Sequence, residues 1–120
     1  MIEEAICSFE VAKLLKKKEF DKPCWYYYHN LKLEHYFRKV TNKEWSTSGN
    51  ISAPTHQMAM AWLREKHNMH VDIDPSEGDW YPCVIELETW SSLTSGKMPI
   101  CNSYEEAVEA GLKYALEELI

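Results

Sequence analysis

Beginning at Ser8, apolar positions recur at helical spacing: Val11, Leu14 and Leu15 share a side with the aliphatic stem of Lys18. Ser8 is a good capping residue, and Lys16, Lys17 and Lys18 suit the negative end of a helix dipole, so a helix is predicted from Ser8 to Lys18. Asp21-Lys22-Pro23 stops it, because the residue before a proline is pushed away from helical angles. The period then changes. Cys24 to His29 (Cys-Trp-Tyr-Tyr-Tyr-His) reads as a strand with large side chains on both faces. After a polar break at Asn30, Leu31, Leu33, His35 and Phe37 alternate with Lys32, Glu34, Tyr36 and Arg38 on the way to Val40. This period-two pattern predicts a strand with its first set of residues in the core, paired with the preceding strand as a hairpin. Thr41 to Ser52 is polar, contains Trp45, and reads as the longest loop.

Pro54 suits the first position of a second helix running to His67, with Met58, Ala61, Trp62 and Glu65 on one side and Ala59 and Leu63 widening the stripe. Asn68 is a left-handed stop. Met69 to Asp74 alternates as a strand, ended by Pro75 and the Ser-Glu-Gly-Asp turn. Trp80 to Glu88 forms another strand, in which Pro82 points to an edge position or a later start, and Lys97 to Cys101 adds a short strand. Ser103-Tyr104-Glu105-Glu106 is a capping box, with Ser103 bonding the Glu106 amide and Glu106 reaching back. It opens a last helix whose apolar face is Ala107, Val108, Gly111, Leu112, Ala115, Leu116 and Leu119. The order is helix, hairpin, helix, hairpin, helix. That predicts one α+β domain over residues 1–120, an antiparallel sheet with helices packed on one face.

Composition narrows the class. Of 120 residues, 45% are hydrophobic and 27% charged, which fits a globular domain and excludes a disordered tail or a fibrous repeat. Lys+Arg 13 against Asp+Glu 19 gives a net charge of -6, which disfavours nucleic acid or anionic lipid as a partner. Charges interrupt every apolar run short of the ~20 residues a membrane span needs, so no membrane association is expected. The acidic start Met-Ile-Glu-Glu lacks the basic and apolar segments of a secretory signal. Cys7, Cys24, Cys83 and Cys101 form no CxxC pair and are expected to be reduced thiols in the cytoplasm.

Catalytic chemistry has thin support. No GxGxxG, Walker lysine loop, GxSxG or HExxH occurs, so no cofactor is expected and catalysis is disfavoured. His70, Asp72 and Asp74 share one strand face, where an imidazole and two carboxylates could bind a divalent cation; the competing reading is the solvated face of a half-buried strand. Only His67 and His70 approach zinc-ligand spacing, with no cysteine pair beside them. The aromatic content is the unusual feature: Trp 5, Tyr 7 and Phe 3. If one sheet face is uncovered, Trp25, Tyr27 and Tyr36 form an exposed platform, and Trp45 and Trp90 stand in polar loop surroundings as further contact residues. The acidic cluster Glu105, Glu106, Glu109, Glu117 and Glu118 invites a DNA-mimic reading, against that of a solvated helix face.

Two longer stretches carry a resemblance. Ile6-Cys7-Ser8-Phe9-Glu10-Val11-Ala12-Lys13-Leu14 with Phe20 to Tyr28, and Ser52-Ala53-Pro54-Thr55 with Ala61 to His67, resemble small uncharacterised proteins encoded by prophages and mobile elements of gut Bacteroidales. The resemblance implies a phage-associated, bacterial cytoplasmic origin and brings no activity with it. The leading expectation is therefore a non-enzymatic accessory or adaptor protein that binds another protein, with homo-oligomerisation left open. The alternatives are a small metal-dependent enzyme using His70, Asp72 and Asp74, and an acidic inhibitor of a DNA-acting enzyme.

Overall fold

In the computed structural model, residues 4–120 are described; Met1 to Glu3, which open the acidic N-terminal stretch, lie outside the described residues. The chain divides into two compact units, residues 1–57 and 58–120.

In the first unit, α1 (Phe9–Lys17) starts where Ser8 Oγ accepts the Val11 N–H at 3.2 Å. It ends before the proline, because Glu19 takes a left-handed φ of 67° and turns the chain. β1 (Cys24–His29) and β2 (Lys32–Val40) are antiparallel, joined by Asn30 (φ 49°) and Leu31 (φ 74°). Two consecutive left-handed residues give the tight turn whose twist matches a hairpin. Leu31 is thus a turn residue and not part of the strand. β3 (Ile51–Ala53), from the segment read as loop, pairs antiparallel with the other edge of β1, giving the order β2-β1-β3. Ala12, Tyr28 and Ala53 are buried together, with Ile6, Phe9, Tyr26 and Ile51 packed around them.

α2 (His56–His67) begins two residues later than Pro54, which stays outside the helix and accepts the Cys7 N–H on its carbonyl at 2.9 Å. Asn68 follows it in the left-handed conformation, φ 56°.

In the second unit, β4 (Met69–Ser76) continues through Pro75 and meets β5 (Asp79–Glu86) across a Glu77-Gly78 turn in which both residues have positive φ. β6 is Ser91–Ser92 alone, and the order is β4-β5-β6. β5 is central yet tolerates Pro82, because β6 pairs only with Ile85 and Glu86. The strand expected at 97–101 reduces to one bridge, Cys101 with Trp80. α3 (Tyr104–Tyr114) is capped by Ser103 Oγ, which accepts the Glu106 N–H at 3.1 Å, and it passes into a π-helical turn, Ala115–Leu119. The Glu106 carboxylate reaches one residue further back than the usual box, to the Asn102 N–H at 2.9 Å. Val108 and Leu112 are buried on the side of α3 that packs against β4 and β5.

The architecture is α+β, with three helices and two small antiparallel sheets in place of the single sheet expected. The separation arises because β3 occupies the free edge of β1, while β6 extends the β4–β5 hairpin. A strand of two or three residues is too short to show a period, so the sequence pattern alone hides both.

Candidate interaction surface

The alternation of β1 sorts its three tyrosines. Tyr28 points inward, its hydroxyl donating to the Cys7 carbonyl at 2.7 Å and its ring edge-to-face with Phe9 at 5.5 Å. Tyr27 points to the other face and meets Tyr36 at 5.7 Å and Trp45 at 4.9 Å. Tyr36 and Trp45 are 5.2 Å apart, and Phe37 lies against Tyr36 at 4.4 Å. Three of the five proposed contact residues, Tyr27, Tyr36 and Trp45, therefore form one cluster of rings.

Trp45 reaches that cluster from the β2–β3 connection through local capping. Glu44 Oε1 accepts the Thr41 N–H at 3.1 Å and its hydroxyl at 3.3 Å, the Thr41 hydroxyl accepts the Glu44 N–H, and Arg38 donates to Glu44 Oε2 at 3.1 Å. These bonds, the Thr41 backbone N–H foremost, hold the Glu44 carboxyl below its ordinary range. The Thr41-Asn42-Lys43-Glu44 pattern of a hydroxyl residue three before a glutamate was the readable signal for this turn. Trp45 Nε1 is buried with no hydrogen-bond partner among the described residues.

Phe37 is the residue that pattern reading misplaced. Leu31, Leu33, His35 and Phe37 were expected in the core, yet Leu31 is 70% exposed, Leu33 39% and Phe37 77%, with His35 exposed as well. Two causes act together. α1 packs on β3, while β2 lies at the far edge of the sheet. The pairing also jumps from Tyr26–His35 to Cys24–Val40, so residues 36–39 bulge opposite Trp25 and the alternation of faces breaks there.

Trp25 stands apart from the cluster. It is 45% exposed, stacked on His35 at 5.8 Å, with Lys39 Nζ 6.0 Å from its ring centroid. The guanidinium of Arg38 lies 6.0 Å from the Tyr36 ring. Cations over ring faces at these distances are attracted by the ring quadrupole. The result is a surface on the β1–β2 hairpin where rings and cations interleave. Trp90 belongs to the second unit, in the β5–β6 connection, and is 78% exposed.

Charge is divided unevenly along the chain. The first unit has nine Lys+Arg against seven Asp+Glu, and the second has four against twelve.

His70, Asp72 and Asp74 lie on β4 opposite Ile85, Cys83 and Tyr81 of β5. His70 Nε2 is 3.9 Å from an Asp72 oxygen, too long for a hydrogen bond, and Asp74 is exposed. His70 Nδ1 is buried without a partner among the described residues. His70 and Asp72 could supply two ligands to a cation.

Among the described residues no helix is long and apolar enough to cross a membrane. No protein-family model, curated protein or solved structure matches this chain.

Proposed function

We propose that this chain is a cytoplasmic accessory or adaptor protein of a phage or mobile element, acting by binding another protein and not by catalysis. The observation that carries the reading is the β1–β2 surface: Tyr27, Tyr36 and Trp45 held ring to ring, with Phe37 left 77% exposed beside them. Aromatic residues supply large contact area at low entropic cost and dominate the energetics of protein interfaces. Arg38 lies over the Tyr36 ring and Lys39 over the separate ring of Trp25, so the matching partner surface is apolar at its centre and acidic at its rim. The test is affinity purification of the tagged full chain and of Phe37→Ser from cells that encode it. Phe37 is exposed, so the substitution is expected to leave the fold intact. Retention of a partner should fall about tenfold or more in the variant. Equal retention by both chains refutes the reading.

A second reading, a small metal-dependent enzyme, draws on the buried and unpartnered Nδ1 of His70 beside Asp72. A metal titration separates it from the first.

A further inference from the structure

Trp90 combines a left-handed backbone with a large exposed ring. Its φ is 60°, a left-handed conformation that costs a bulky side chain but suits glycine or asparagine. Its indole is also 78% exposed, so it contributes little to the core. The turn that carries it is held firmly. The Trp90 N–H donates to the Glu86 carbonyl at 2.8 Å, and the Leu87 N–H to the Asn68 carbonyl at 2.9 Å. One oxygen of the Glu86 carboxylate accepts the Thr89 N–H at 2.9 Å and its hydroxyl at 3.1 Å, while the other accepts the Asn68 side-chain amide at 3.2 Å. The hydroxyls of Thr89 and Ser91 close the turn at 2.6 Å.

Strained residues persist where the surrounding structure over-determines them, and they gather at binding sites. A large ring fixed in the open loses little further freedom on docking, which is the advantage of a preorganised anchor. The chain around it is acidic: Glu86 and Glu88 are the charged residues of the turn, and the unit carries twelve acidic residues against four basic. That charge repels a polyanion and selects against stacking on nucleic acid.

We infer that Trp90 is a second docking element, an indole anchor for a protein partner presenting an apolar pocket rimmed by lysine or arginine. It is independent of the reading of the first unit, whose surface is edged with cations.

The test uses the full chain and a defined probe, an amino-substituted β-cyclodextrin whose apolar cavity is ringed by ammonium groups, with neutral β-cyclodextrin as reference. At low salt the cationic host should bind at least about threefold tighter than the neutral one, a margin of the size exposed ion pairs supply. High salt should erase that preference. It should vanish in Trp90→Ala and persist in Trp25→Ala, since Trp25 lies under Lys39 and disfavours a cationic host. Equal binding of the two hosts, or a preference that survives Trp90→Ala, overturns the inference. Trp90→Gly is measured in parallel and should melt at or above the wild-type Tm. A lower Tm would show that the indole serves the fold and would also overturn it.

Discussion

Asn42 and Ser52 are joined by a buried hydrogen bond, the Ser52 N–H donating to Asn42 Oδ1 at 2.8 Å. The same side chain donates from Nδ2 to the Phe20 carbonyl at 2.9 Å, and the residue is only 7% exposed. One amide thus closes the connection that presents Trp45 to Tyr27 and Tyr36. Asn42→Ala would remove the bonds that Asn42 makes to the Ser52 N–H and to the Phe20 carbonyl. We expect a loss of about 1–3 kcal/mol in urea unfolding, from two buried hydrogen bonds at about 0.5–1.5 kcal/mol each. The near-ultraviolet circular dichroism of the ring cluster should weaken with it.

Gly111 sits on α3 where an added Cβ would lie 2.5 Å from Val71 Cγ1 of β4. Alanine favours a helix over glycine by about 1 kcal/mol. Overpacking a filled core costs about 1–3 kcal/mol, and Val71 is fully buried, so the net effect of Gly111→Ala should be destabilising. Combining it with Val71→Ala should recover part of the loss, giving a favourable coupling in a double-mutant cycle.

Burial pushes the Cys24 thiol from its ordinary 9.0 up to about 12, against the opposing attraction of Lys39. The folded state therefore binds the proton more tightly than the unfolded one. Its contribution to stability is fully present below pH 9 and is lost as pH rises from there towards about 12. At pH 8, alkylation followed by peptide mass analysis should find Cys24 unmodified in the native chain and modified after denaturation. The half-buried Cys83 should react first.

Adding zinc or manganese to metal-free protein should give no rise in Tm that depends on His70, because His70 and Asp72 offer two ligands where a stable site usually needs more. A rise in Tm that disappears in His70→Ala would favour the metal-dependent reading instead.

How legible each element was depends on how local its cause is. The Ser8 and Ser103 caps and the Asn68 stop rest on single side chains acting within one turn, and the structure shows all three. Pro54 was misread as a helix start because its extended neighbour Thr55 pairs with Ile6, a contact distant in sequence. The exposure of Leu33 and Phe37 depends on β2 being an edge strand, which follows from β3 taking the other side of β1. Alternation shows that a strand has two faces; it does not show which of them a helix covers. The same limit applied to the ring cluster. Tyr27, Tyr36 and Trp45 could each be singled out as aromatic candidates, but their convergence on one another needed the loop turn that Glu44 and Asn42 hold.

The most direct measurement is native mass spectrometry of the tagged full chain, purified gently and without chelator from cells that encode it. The account predicts a complex of this chain with a second protein, free of metal, that is absent when Phe37→Ser is purified in the same way. A bare chain, or one carrying a stoichiometric metal, would contradict it.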